Sequence, residues 1–515
     1  MDKIQFLYSI IGTPLGYILY FIYQFICSNV GIAILLFTLI IKLAMLPLSI
    51  KQQKNTAKSA IFAPKVKEIQ TKYRNNQQKQ QEELAKLQQQ GYNPMGGCGS
   101  MLLTFLLLFG VLDVVYKPMT HIEHVSSTKI EEIIEESYSV ELTSIFVNEV
   151  SRDATELADM KEEAVEKHND IIKDAKLVID YYNANCLEEG EAPKDIALFD
   201  DMTVQAKEVV NDVVEHSMLA AYALDEKSLL FTNTDLYAIT DAENEEMTAI
   251  EDEAARDEYK AQHSFSDATR ELMNTTTRHM GSHRVVKNKD EDAKVEFQPN
   301  AALQRELYAL EAFGTGDNRN AYSPAVIGPE LKETIVELYD NLNFIGIPLG
   351  QVPWEHLGFP LILIPIISFL MALLQTYISN RMMSKNNPDA AAGMGAMKVT
   401  LYIMPLFSLF LAFTIPAGAG FYWTISYFYG IIQTIVLNKL YSPAKLRAQA
   451  EAEYAARMKQ VEIEAKKVRD ADNDDGIHEY NGEQLSQKEI NRRKLAEARR
   501  QDAIKYGEEY TDDDD

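Results

Sequence analysis

The chain has 515 residues, 46% of them hydrophobic, and a formal net charge of −26. Its apolar residues gather in runs near the ~20 that a bilayer crossing demands, which excludes a wholly soluble globular protein. The acidity is just as uneven: residues 121–340 hold 50 Asp and Glu against 20 Lys and Arg, a net −30, and the rest sums to +4. It marks one solvated block and not a chain built to bind basic partners.

Taken in order, residues 1–28 include FLYSIIGTPLGYILYFIYQFIC, which is apolar but carries Gly12, Pro14 and Gly16. It has no small-residue cleavage site, and Cys27 lacks the preceding small residue of a lipoprotein signal. The expectation is an uncleaved helix lying in the membrane interface, with a further span or a signal anchor as alternatives. Five spans follow by length and hydropathy, over 30–49, 99–117, 357–379, 399–414 and 419–440. Between them, residues 51–90 carry nine basic and three acidic side chains and residues 380–398 three and one. The positive-inside rule puts both loops in the cytosol, which predicts an N-terminus and residues 119–342 outside and a cytosolic C-terminus.

The 51–90 segment has helix formers on both sides of a polar break at 74–77 and ends in the turn signal GYNP, so it predicts a helical hairpin. A basic loop held near anionic lipid is the alternative. In the acidic block, Ile130, Ile133, Ile134 and Tyr138 fall at helical spacing and residues 204–219 repeat the stripe, predicting a folded, mostly helical domain. The tail from 441 holds 14 basic and 19 acidic residues. Its basic helical centre contains Arg492, Arg493, Arg499 and Arg500, read either as a solvated face or as a contact for ribosomal RNA.

Candidate chemistry is sparse. The three cysteines are far apart, and phosphate-loop, GxSxG and HExxH motifs are absent. His121 with His124, and His279 with His283, could share helix faces, but no third ligand accompanies either pair. DADNDDGIHEYN fails the calcium-loop template because its glycine is one place late and no glutamate closes it. Charges in the spans say more. Lys42 lies seven residues before the end of its span, about 10 Å of helix, so it either snorkels to the interface or faces a watery cavity. Asp113 and Lys117 read as interfacial, and Gln375 and Gln433 as cavity-lining or interhelical groups.

Four stretches carry a resemblance: IIKLAMLPLSIKQQK at 40–54, GYNPMGGC at 91–98, NFIGIPLGQ at 343–351, and MPLFSLFLAFTIPAGAGFYWTISYFYGIIQT at 404–434. In this order and spacing they resemble the YidC-type membrane protein insertases. The resemblance implies an all-α membrane protein: a five-helix bundle around a hydrophilic groove, a cytosolic helical hairpin and here a large extracytoplasmic insertion. The implied division is 1–28, 29–118 as the first core segment, 119–342 as the inserted domain, 343–440 as the second core segment, and 441–515 as the tail.

The family's groove carries a basic residue, normally arginine, and Lys42 occupies the matching position. Lysine keeps the charge but loses the planar fork. Where the family has a proline and then a glutamine after GGC, this chain has Ser100 and Thr104. The implied groove residues are Lys42, Thr104, Tyr422, Trp423 and Gln433. Cytosolic contacts to ribosome or nascent chain fall to Lys65, Lys67, Lys72, Arg74 and the four tail arginines. The resemblance further implies a bacterial plasma membrane, no cofactor, no enzymatic turnover, and as partners nascent membrane proteins, the ribosome, the Sec translocase, signal-recognition components and lipid. A surface receptor or scaffold working through the acidic domain, and a transporter, are the alternatives. The first leaves Lys42 unexplained; the second lacks inverted repeats.

Overall fold

The computed structural model describes residues 3–89, 92, 98–224, 241–287, 292–300, 303–386, 395–472 and 477–506. Helix α1 (Lys3–Phe25) runs unbroken through Pro14. Asn29 caps α2 (Val30–Ala44), its side chain accepting the Ile32 N–H at 3.2 Å, as a short polar residue does at an N-cap. The sequence predicts one span over 30–49, but α2 stops before Met45 and α3 (Leu46–Ala60) begins at once. Pro47 explains the difference, since it has no N–H for the Leu43 carbonyl and its ring crowds that turn. The hairpin then forms from α4 (Ala63–Lys72) and α5 (Gln77–Gln89), separated by the polar turn at 73–76.

Next come α6 (Cys98–Tyr116), the short α7 (Pro118–His121), and the helices of the acidic block. These are α8 (Ser127–Val150), α9 (Ala154–Asp159), α10 (Glu162–Asn185), α11 (Val204–Leu224), α12 (Asp241–Ala249), α13 (Glu253–Gln262) and α14 (Asp267–His279). A hairpin of β1 (Gly281–Val286) and β2 (Lys294–Pro299) interrupts the helices, with His283 opposite Phe297. Then follow α15 (Arg305–Gly314), α16 (Pro329–Asn341) and the tight hairpin of β3 (Asn343–Phe344) and β4 (Ile347–Pro348). The C-terminal part holds α17 (Leu363–Asn386), α18 (Gly395–Thr414), α19 (Ala417–Leu440), α20 (Pro443–Asp472), a hairpin of β5 (Ile477–Tyr480) and β6 (Glu483–Ser486), and α21 (Gln487–Tyr506). The third span is thus shifted from 357–379: Pro360 lacks the donor a helix interior needs, and α17 starts only at Leu363.

The chain divides into two compact units, residues 1–48, 98–381 and 394–435 in one and residues 49–97, 382–393 and 436–515 in the other. In the first, α8 is the axis of the acidic block: Ile130, Ile133, Ile134, Tyr138, Leu142 and Phe146 are buried, and α10, α11, α14 and α15 pack around it. The β1/β2 hairpin closes over Tyr138, whose ring meets His283 at 5.3 Å and Phe297 at 5.2 Å. A buried ion pair, Lys207 with Glu136, ties α11 to α8. The acidic block is therefore mostly helical, and its core is continuous with buried residues of α1, α2 and α6.

In the second unit Phe62 is buried between Tyr92 and Tyr454, with ring centroids 5.7 and 5.2 Å away. Gln53 donates to the Tyr441 carbonyl at 3.0 Å. These contacts seat the tail helix α20 on the base of the α4/α5 hairpin.

Candidate functional site at the core helices

Lys42 stands in the last turn of α2, two residues before the break, and not deep within a continuous span. It is half-buried and makes no ion pair or hydrogen bond among the described residues. The carbonyl end of a helix favours a cation, and the Pro47 break leaves a carbonyl there without its helical donor. An apolar helix has been given a polar end.

Tyr422 is buried in α19, while Trp423 and Gln433 are partly exposed. Among the described residues no hydrogen bond, ion pair or ring contact joins Lys42 to any of the three. Thr104 lies in α6, and its side chain falls outside the described residues. Gln375 of α17 packs on Gly430 of α19, where a Cβ would come within 2.7 Å of its Nε2.

Packing along these helices is uneven. Where α19 begins, Ala417 and Ala419 are wholly buried, and the Gly418 N–H donates to the Leu349 carbonyl at 2.7 Å. A Cβ on Gly418 would meet that carbonyl at 3.1 Å and Val115 of α6 at 3.2 Å. Phe344 of β3 packs against Phe421, ring centroids 5.0 Å apart and tilted, and covers Gly31 of α2. Toward the other end, Leu43, Ile432, Ile435 and Val436 are exposed. Among the described residues one stretch, Leu363–Met382, is by itself long and apolar enough to cross a bilayer, and α2 with α3 qualifies as one broken span.

A second polar cluster occupies the end of α6. Asp113, almost fully buried, accepts from Lys117 Nζ at 2.6 Å and lies 2.9 Å from His121 Nε2. Beside it, Thr120 donates through its N–H (3.1 Å) and hydroxyl (2.6 Å) to buried Glu306 of α15, whose carboxyl is raised by burial. The sequence predicts Asp113 and Lys117 at the interface and offers His121 with His124 as a pair on one helix face. The i, i+4, i+8 spacing of Asp113, Lys117 and His121 was the signal for this cluster. His124 instead packs on the rings of Tyr17 and Tyr20.

A third network joins the acidic block to the segment before α17. Glu311 accepts from Gln351 at 2.6 Å and lies 3.4 Å from His356; Glu355 accepts from Tyr308 and lies 3.6 Å from His279. His279 stacks on Tyr308 at 3.8 Å. Glu141 is pushed up to about 7 by burial and by the Glu311 charge. Burial also raises Glu311 and takes His283 down to about 4.

On the hairpin, Lys65 is engaged by the Tyr454 hydroxyl at 3.1 Å, and Lys72 lies over Tyr73. Lys67 and Arg74 are solvent-facing. Arg493 pairs with Glu483 at 2.8 Å and Arg492 with Glu489 at 3.9 Å. The side chains of Arg499 and Arg500 lie outside the described residues.

The apolar helices, among them one stretch long enough to cross a bilayer, define a mostly helical membrane protein. Residues 21–152 and 331–445 match the family model of the 60Kd inner membrane protein. Membrane protein insertases YidC are among the similar proteins: that of Wolinella succinogenes is 40% identical over 106 residues, 20% of this chain and 20% of that one. The Synechocystis protein is 33% identical over 135 residues, 24% and 35% of the two chains. The Clostridium perfringens protein is 38% identical over 96 residues, 18% and 40%. The matched stretches thus span between 20% and 40% of these relatives' lengths. No solved structure matches. Through its two matching segments the chain belongs to the YidC-type insertase family.

Proposed function

We propose that the protein inserts nascent membrane proteins, receiving the polar part of a substrate in a groove between α2, α6, α17 and α19 that opens toward the cytosol and the lipid. The observation that carries this is Lys42, a cation with no ion pair among the described residues at the broken end of an apolar helix, where a charge needs water or a partner. The tight packing around Gly418 and the looser packing toward Leu43 and Val436 support a groove sealed on the outer side. Such a groove shortens the apolar distance that a hydrophilic tail must cross. Burial of the substrate's own apolar helix, about 25 cal/mol per Å2, then drives release into lipid without a nucleotide.

In this reading the acidic block is outside, and the hairpin and the tail are cytosolic. The hairpin meets the nascent chain, and the tail holds the ribosome, Sec translocase or signal-recognition components nearby. The helix α1 changes the expected position of the N-terminus. Gly110 faces Ile11 and Leu15, Asp113 faces Gly12, His121 faces Gly16, and His124 faces Tyr17 and Tyr20, so α1 runs alongside α6 in the same direction. Since α6 leads to the outer block, α1 is a sixth span with a cytosolic N-terminus, in place of a helix lying flat in the interface. A photocrosslinker at residue 42 tests the function: it captures ribosome-bound nascent membrane proteins if the reading holds, and lipid alone if Lys42 only snorkels.

A further inference from the structure

The segment between β3 and α17 presents large apolar side chains that nothing among the described residues covers. Ile345 is 84% exposed, Trp354 62%, Leu357 65% and Phe359 83%. The segment is nevertheless held firmly. The Trp354 N–H donates to the Phe413 carbonyl at 2.9 Å, the Ala417 N–H to the Gln351 carbonyl at 2.8 Å, and the Trp354 ring meets Phe413 edge-on at 6.4 Å. Its polar side chains turn the other way, Glu355 to Tyr308 and His279, His356 to Glu311. One face therefore binds the acidic block and the other is bare hydrocarbon.

Ile345 adds an independent observation. It sits at the tip of the β3/β4 turn with φ +52°, followed by Gly346 at +79°. A β-branched residue is strained there, and such a turn ordinarily takes Asn or Gly. Strain held at an exposed tip points to a use for the side chain.

We propose that this segment is a lipid seat, with Ile345, Trp354, Leu357 and Phe359 inserted into the interfacial layer of the outer leaflet. The occupant is lipid because the bare face runs directly into the exposed apolar side chains of α17, such as Ile366 and Leu370. α17 contains the stretch long enough to cross the bilayer. Tryptophan belongs at that depth, where its ring is apolar and its N–H can be wetted. The seat fixes the acidic block at a set height over the spans, through Glu355 and His356. The inference rests on the proposed membrane orientation.

The chain has two tryptophans, Trp354 and Trp423, which makes the test direct. The full chain, as Trp423→Phe and separately as Trp354→Phe, is reconstituted in phosphatidylcholine vesicles brominated either near the ester or near the methyl end of the acyl chain. Trp354 fluorescence should fall several-fold more with ester-end bromine and should resist aqueous iodide. Strong iodide quenching of Trp354 without bromolipid quenching overturns the seat, whether water or a client protein covers that face. Trp423 separates the two readings: if bromolipid quenches it while Trp354 stays untouched, the seat fails and the membrane reading stands. If neither is quenched, the spans themselves are misassigned. As a second measurement, Ile345→Asn in the Trp423→Phe background should raise iodide access to Trp354, whereas no change removes Ile345 from the seat.

Discussion

The backbone of Gly12 lies directly against the Asp113 carboxylate: a Cβ at Gly12 would sit 2.3 Å from Asp113 Oδ2. Four residues on, Gly16 bears the same relation to His121, at 2.4 Å from Nδ1. Glycines that look like helix breakers in sequence are thus the clearance that lets α1 cover a buried ion cluster. Gly12→Leu should lower the melting temperature of the detergent-solubilised protein, by a loss of about 1–3 kcal/mol typical of overpacking. An unchanged melt would show that α1 does not seat there.

Lys42→Ala should slow insertion of substrates with acidic translocated tails, whereas Lys42→Arg should preserve or improve it, because arginine restores a fork for carboxylates. Protease protection of a small single-span substrate measures this. Equal protection by all three proteins would end the electrostatic role.

Glu141 gives a pH dependence with a definite sign. Its carboxyl is raised from 4.5 to about 7 in the fold, so the folded state keeps a proton that the unfolded chain releases. Stability from this group is complete below about 4.5 and is lost as pH rises toward 7, by up to about 3 kcal/mol. Glu141→Gln should therefore melt higher than the parent at pH 8 and match it near pH 4. A difference independent of pH would assign the effect to packing.

Single cysteines at Gln80 and Gly190, in a chain cleared of its native cysteines, should report opposite sides of the membrane. An impermeant thiol reagent on intact cells should label only Gly190→Cys, and a third cysteine at Asp2 should behave like Gln80→Cys. Labelling at Asp2 would return α1 to the outer interface.

Replacing residues 126–341 by a short Gly/Ser linker should leave insertion largely intact, since every groove residue lies outside the replaced stretch. Total loss of insertion by a variant that accumulates normally would make the block part of the machine.

Much of this was legible in the sequence wherever one physical signal dominated. The hairpin announced itself by a polar break between helix formers, and the α8 stripe by its spacing. What escaped depended on partners distant in sequence. Met45 breaks from α3 because of Pro47, a signal present but outvoted by the apolar run. The β1/β2 hairpin escaped because the sequence between its strands is highly charged, and because it is held by Tyr138, more than 140 residues earlier. The direction of α1 could be read only from which glycine meets which side chain of α6.

Gly418 touches both Val115, just before the chain departs into the acidic block, and Leu349, just after it returns. Entry and exit are neighbours in space, so the ends of the acidic block close without stretching the helices that flank it, and its length adds only slowly to the entropy of closure. A segment attached in this way can be gained, enlarged or exchanged between lineages while the spans keep their packing. Relatives that share α2, α6 and α19 are then free to differ widely in what they carry between them.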